Sequence, residues 1–331
     1  MNDRQHAKTI VRDYFAALDS ATTGDVGDIA SQHISDDYVF RAVHPFNELA
    51  GASNVVATVW LPLLQSFTRL QRREDIFIAG PDRTDGRMWV TSMGKFMGLF
   101  DNDWLGIPAT GKIAMIPFCE FHRVSEDRIV ESALWLDIIS VMKQAGLNPL
   151  PVQTGAELIN PGPRTGDGLL FDAQDDAESQ KTLDLIMAMC DDLVGDGMQS
   201  PDKNLAKTWH DDMLWFGPSG IGATYTISRY QLQHQGPFRA GLRNIEFTGH
   251  VLEHAEGNYG GWFGWPNLTM NQGDGFMGLP ASNQPTEMRV VDMYRRDGDK
   301  LAENWIFIDI LHYLKLLGLD VLERCTSIGQ Y

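Results

Sequence analysis

The chain has 331 residues, of which 43% are hydrophobic and 21% charged, and its formal net charge is −17. That length suits two domains of about 150 residues with a connector, and the apolar content is enough for packed cores. The acidic balance repels phosphate backbones and so excludes nucleic acid as a partner. No apolar run approaches the roughly 18 residues of a membrane span.

The N-terminal stretch mixes charged and apolar residues, which argues against a signal peptide. An odd, scattered set of cysteines (Cys119, Cys190, Cys325) fits reduced thiols rather than a disulfide framework, hence a cytoplasmic location.

The chain opens on Ile10, Val11, Tyr14, Phe15 and Leu18 at helical spacing. An acidic turn and an aromatic segment, Asp36 to Phe40, follow, and a second helix is predicted from Ser53 to Leu70. Strands are expected over Arg87 to Phe100, Ala114 to Val124 and Arg128 to Leu136, the last two joined at Ser125-Glu126-Asp127. A short helix, Ile138 to Ala145, should be stopped by Gly146.

The proline- and glycine-bearing stretch that follows, ending in an acidic run, reads as a linker. After it the order repeats. Leu183, Ile186, Met187, Cys190 and Leu193 form a helical face. Then come Asp211 to Phe216, a helix over Thr226 to Gln235, a hairpin turning at Arg296-Asp297-Gly298-Asp299, and a helix Ile310 to Leu317 stopped by Gly318.

The repetition is explicit in the residues. Gly106 to Leu150 aligns on Gly278 to Leu322 without a gap, at an offset of 278 − 106 = 172, with 12 of 45 columns identical. Solenoid units run only about 20–50 residues, so this is a duplicated domain. The expected boundaries are 1–150 and 180–331, with 151–179 as linker. Helices followed by a curved antiparallel sheet give an α+β class, and a sheet bent around a helix encloses a conical cavity.

The stretches Trp104 to Lys112 (WLGIPATGK), Glu120 to Val124 (EFHRV) and Asp127 to Asp137 (DRIVESALWLD) resemble the SnoaL-like polyketide cyclase family, within the nuclear-transport-factor-2-like superfamily. The second copy offers MGLPAS, DMYRRDGDKLAENW and FIDIL. The resemblance implies an enzyme that needs no metal or organic cofactor and acts on a small hydrophobic or polyketide-like molecule. It also implies an aspartate that moves protons in an aldol-type cyclisation, an isomerisation or a related carbon-acid reaction. Pairing of the two domains as an intramolecular pseudo-dimer is expected too, with homo-oligomers open. The rival reading is a non-catalytic ligand-binding or protein-interaction module of the same fold, since this fold hosts many functions.

Asp137 and Asp309 are the leading catalytic candidates. Alternation puts Asp137 on one face with Trp135 and Glu131, and Asp309 with Phe307, Trp305 and Glu303. An apolar wall raises a carboxyl pKa toward the range useful for proton transfer. Each also directly precedes the closing helix, where aspartate is a favoured N-cap. His122, replaced by Tyr294 in the second copy, is a candidate base or oxyanion partner that parity leaves on the outer face. His44, in a His-Pro element, matches one that reaches the cone mouth in the family. Trp60, Trp89, Trp104, Trp135, Trp305 and Phe307 are candidate walls for a planar ligand, or simply core. His250 to His254 (HVLEH) imitates a zinc-peptidase string. Its strand context would hold the two imidazoles about 13 Å apart, so no metal site is expected.

Overall fold

The computed structural model describes residues 3–195 and 201–328, which divide into two compact units. The first comprises Met1–Leu147, Arg164–Ala173 and Asp320–Tyr331; the second comprises Asn148–Pro163 and Gln174–Leu319.

In the first unit α1 (Asp3–Asp19) and α2 (Val26–His33) precede β1 (Ile34–Ala42) and β2 (Asn47–Ala50). A helical segment follows, built of α3 (Ala52–Val55), a π-turn (Val56–Trp60) and α4 (Leu61–Ser66), which carries proline in its first turn. Four long strands complete the sheet: β3 (Phe67–Pro81), β4 (Met88–Phe100), β5 (Ile113–Ser125) and β6 (Arg128–Leu136), closed by α5 (Ile138–Gln144). Their order is β2-β1-β6-β5-β4-β3. The sheet is antiparallel except for β1 on β6, which run parallel, so it is mixed rather than wholly antiparallel. Register shifts in β3, each a bulge that bends a strand, curl the sheet around α1. At one of them Gly94 is obligatory, because a Cβ there would lie 2.1 Å from the Arg73 carbonyl oxygen.

The second unit repeats this order: α6 (Asp176–Gly195), α7 (Asp202–Thr208), β7 (Trp209–Phe216) and β8 (Ala223–Tyr225). Then come α8 (Ile227–Tyr230), a π-turn (Gln231–Gln235) and α9 (Gly236–Gly241), again with proline in the first turn of the last helix. The sheet runs β10-β11-β12-β13-β7-β8, with β9 beside β10 on the edge of β11. These strands are β9 (Leu242–Phe247), β10 (Leu252–Glu256), β11 (Tyr259–Gln272), β12 (Pro285–Asp297) and β13 (Lys300–Ile308). β13 pairs in parallel with β7, as β6 does with β1. The closing helix is α10 (Ile310–Leu316), and α11 (Val321–Ile328) packs with the first unit. The long β3 of the first unit is thus matched by two short strands.

Both closing helices end as the sequence suggests. Gly146 and Gly318 take φ of 84° and 87°, a conformation cheap only for glycine. The amides that follow complete the same loop, Leu147 to the Met142 oxygen and Leu319 to the Leu314 oxygen, both at 2.9 Å. The helix starts are equally alike. Asp137 Oδ1 accepts from the Ser140 amide at 2.9 Å, and Asp309 Oδ1 from the His312 amide at 3.1 Å. Capping therefore explains why both copies keep an aspartate here. Replacing Asp137 by Asn, which retains a capping oxygen, is expected to cost a few tenths of a kcal/mol, whereas Asp137→Ala should cost about 0.5–2 kcal/mol. Urea unfolding of the two variants checks this, and equal losses would contradict it.

Candidate active site

The inner face of each sheet is set by strand alternation. In β12 and β13 it carries Met288, Val290, Asp292 and Tyr294, then Asn304, Ile306 and Ile308, all lining a cavity of about 100 Å³ in the second unit. Subtracting 172 gives the matching set in β5 and β6: Ile116, Phe118, Glu120, His122, Ser132, Leu134 and Leu136, every one buried. The registers agree, with Glu120 opposite Leu134 and Asp292 opposite Ile306. A carboxylic acid thus occupies the same inward position in both domains, with very different company.

In the first domain the partner is a cation. Arg72 on β3 forms an ion pair with Glu120, both side chains being 2% exposed. The guanidinium lies 3.7 Å from the Phe15 ring centre and 4.9 and 5.0 Å from those of Phe96 and Phe118, an aromatic cage suited to a delocalised cation. His122 Nε2 stands 3.5 Å from Glu120, and its Nδ1 is 2.7 Å from the Ser132 hydroxyl. Tyr14 and Phe15 meet the imidazole edge-on, and Tyr38 hydrogen-bonds Ser132. Burial pushes the Glu120 carboxyl up, but Arg72 and His122 outweigh it and hold the acid below the ordinary range.

In the second domain no lysine or arginine lines the cavity. Following the registers outward explains the loss. Arg72 pairs with Phe96, and Phe96 with Ile116. Phe247 pairs with Leu268, and Leu268 with Met288, the counterpart of Ile116. Phe247 therefore occupies the arginine's place. Asp292 is left with an amide and a phenol: Asn304 Nδ2 donates to its Oδ1 at 2.7 Å, and the Tyr294 hydroxyl also bonds it. Burial dominates these hydrogen bonds and pushes its pKa up to about 8.

The remaining walls are aromatic. His234, on the π-turn, stacks on Trp215 with ring centres 4.0 Å apart, and burial holds it neutral by pulling its pKa down to about 3. His250 stacks on Trp262 at 4.1 Å, with Nδ1 2.8 Å from Glu253 Oε1. Tyr230 and Phe238 complete this side, and Cys190 and Met189 on α6 roof it. Burial pushes the Tyr230 phenol and the Cys190 thiol further above their ordinary values, so both stay neutral.

The residues expected from sequence fall elsewhere. Trp305 and Phe307 point away from the cavity, the opposite face from Asn304 and Ile306. Trp305 stacks on Phe216 and donates its indole N–H to the Pro161 oxygen at 2.8 Å. Trp135 packs on Phe121, on the face away from Glu120. The apolar wall assigned to Asp137 and Asp309 is therefore the outward face of each sheet. Both faces are buried, so hydrophobicity could not tell them apart. Trp60 packs edge-on against Phe96 and hydrogen-bonds the Tyr14 oxygen. Trp104 sits among Phe46 and Phe67, and Trp89 is buried in β4. None of these six aromatics lines a described cavity. His122 departs from its expected outer face: it is 2% exposed beneath α1. His44 is buried after β1, its peptide bond to Pro45 cis. Asp309 also faces Arg289, 3.4 Å from its Oδ2.

Several cavity residues escape sequence reasoning. His234, Gln235 and Asn267 belong to no motif, and Asp292 and Asn304 lie within DMYRRDGDKLAENW without standing out there; only the acidic column Glu120/Asp292 could have signalled the site. His250 and His254 flank the start of β10, in strand rather than helical context. Among the described residues no group of three or more His, Cys, Asp or Glu is arranged to hold a metal ion. Nor is any helix there long and apolar enough to cross a membrane.

Comparison with known proteins places this architecture. Residues 9–145 match the model of the SnoaL-like polyketide cyclase family. No protein of curated function matches the chain. Among solved structures, a SnoaL-like protein of Jannaschia sp. CCS1 is 17% identical, covering 45% of this chain and 97% of its own at a TM-score of 0.36. IdmH of Streptomyces antibioticus is 18% identical, covering 42% and 97% at 0.35. An LEH-like epoxide hydrolase of M. tuberculosis is 15% identical, covering 43% and 90% at 0.31. Each covers somewhat under half of this chain. With the motifs, the matched inner faces and the repeated element order on the page, residues 9–145 are similar to the SnoaL-like polyketide cyclase family, and the second unit repeats the α+β fold of the first.

Proposed function

We propose that the second domain is the working half of a small-molecule enzyme, with Asp292 as its proton carrier. The observation that supports this most is a carboxylic acid with no cation beside it, set in an aromatic cavity. A carboxyl that titrates near 8 is matched to proton transfer at neutral pH. Bound substrate would offer a carbonyl. Asp292 gives its proton to the carbonyl oxygen, and the carboxylate so formed takes one from the neighbouring carbon, leaving the acid restored and an enol in the cavity. Asn304 and Tyr294 hold the carboxylate through that interval by the bonds they already make. The enol is the nucleophile that ring closure or isomerisation needs. In this reading Asp137 and Asp309 fix the closing helices, while His122 belongs to the packed core of the first domain. His44 is left out of the chemistry.

Stability offers a check that needs no substrate. The folded pKa of Asp292 lies above its unfolded value, so the folded state holds the proton more tightly. Its contribution to stability is full below the unfolded pKa of about 4. It declines as pH rises and is lost once pH passes the folded value of about 8. Asp292→Asn removes the titration and keeps the shape. The variant should match the parent at pH 4 and melt higher at pH 8. A variant that melts lower than the parent at both values would contradict the assignment.

Proton transfer itself can be read with isoxazole, whose single ring opens by N–O cleavage when a base removes the C–H beside its nitrogen. The protein-catalysed rate should rise through pH 8 as Asp292 ionises. It should fall about 10²-fold or more in Asp292→Asn while surviving in Asp137→Asn. A rate within about twofold of the parent in Asp292→Asn would overturn the proposal.

A further inference from the structure

The cavity also carries polar atoms that the chemistry above leaves unused. Gln235 and Asn267 line it, 3% and 4% exposed. Gln235 Nε2 and Asn267 Oδ1 are buried without a hydrogen-bond partner. The Gln235 amide cannot simply be turned over, because its Oε1 accepts from Arg239 at 3.2 Å. An arginine only donates, so Arg239 fixes the carbonyl toward itself and Nε2 as a donor left over. Gln235 sits on the π-turn between α8 and α9, an irregularity that often marks functional sites. A buried donor or acceptor without a partner costs about 1–3 kcal/mol, so a bound molecule that satisfied both would recover that cost.

Three features define the molecule. The stacks of Trp215 on His234 and of Trp262 on His250 give the lining aromatic rings that favour a flat ligand ring. The absence of lysine and arginine from the lining disfavours an anion, whose charge would be buried without compensation. The volume of about 100 Å³ is less than the 150 Å³ or so of an engineered cavity that holds benzene, so the ligand has no more than one ring. Resting on the reading of Asp292 as the acid, we propose that the second-domain cavity binds a neutral single-ring molecule bearing a carbonyl and a hydroxyl. Gln235 donates to one of its oxygens and Asn267 accepts from its hydroxyl. Arg239 is a positioning residue that acts through the Gln235 amide.

Calorimetric titration of the full chain with four probes tests this: 4-hydroxyacetophenone, acetophenone, 4-ethyltoluene and 4-hydroxybenzoate. The expected order of affinity is 4-hydroxyacetophenone first, acetophenone about 3–10-fold weaker, 4-ethyltoluene weaker again, and no detectable binding of the charged benzoate. Each step removes a hydrogen bond of the usual strength or adds an unpaired charge. Gln235→Leu should flatten the difference between acetophenone and 4-ethyltoluene. Asn267→Leu should flatten that between 4-hydroxyacetophenone and acetophenone. Arg239→Met, which frees the Gln235 amide to turn, should weaken acetophenone binding less than Gln235→Leu does. Asp292→Asn should leave the order intact, which separates recognition from proton transfer. Equal affinity for the hydrocarbon and the hydroxyketone, tightest binding of the benzoate, no binding of any probe, or an unchanged order in Gln235→Leu would each overturn the proposal.

Discussion

A carboxylic acid facing the inside of a cone has to be reconciled with the loss of water. Two routes are open: a cation can be buried beside it, or it can keep its proton. The two halves of this chain take one route each, at the same position on the same strand. Glu120 has Arg72, and Asp292 has Phe247 in the arginine's place. A buried pair balances a desolvation cost of several kcal/mol per ion only when geometry and further hydrogen bonds are good. In the first domain His122, Ser132 and three phenylalanine rings meet that demand. In the second, a neutral acid needs only an amide and a phenol, and space remains.

The rest of the fold serves that contrast. Bulges bend each sheet so that one face closes around a helix, α1 or α6, and the parallel pairing of the first strand with the last brings the hairpin to the centre of the sheet. The aspartates before α5 and α10 pin the closing helices through their first-turn amides. The paired π-turns place Trp60 in one copy and the His234–Gln235 segment in the other. Trp60 joins the core by bonding Tyr14, whereas Gln235 keeps a free amide donor at the cavity. One exchange of arginine for phenylalanine and one of tryptophan for glutamine thus accompany the change in the partners of the buried acid.

The fold was largely legible in the sequence. Helical spacing, the Asp-Gly hairpin turn and glycine after the last helix are local signals, and duplication supplied a second reading of each. The site was less legible, for a reason of period. Alternation in β6 and β13 separates two faces but does not say which is inner when both are buried. Trp135, Trp305 and Phe307 marked the richer aromatic face, and it is the outer one. Glu120 and Asp292 stood in an aligned acidic column, yet their opposite states depend on Arg72 and Phe247, 48 and 45 residues upstream. That pairing is set by strand register across several bulges rather than by any local pattern.

The central claim is that Asp292 holds a proton at neutral pH while Glu120 does not. Carbon-13 labelling of the aspartate and glutamate carboxyls, with Asp292→Asn and Glu120→Gln used to assign the two signals, measures both titrations in one series. The Asp292 carboxyl should titrate near pH 8, and that of Glu120 should already be ionised below the ordinary glutamate range. An Asp292 signal that titrates below pH 5 would contradict the account, because the cavity would then hold a charge that nothing beside it offsets.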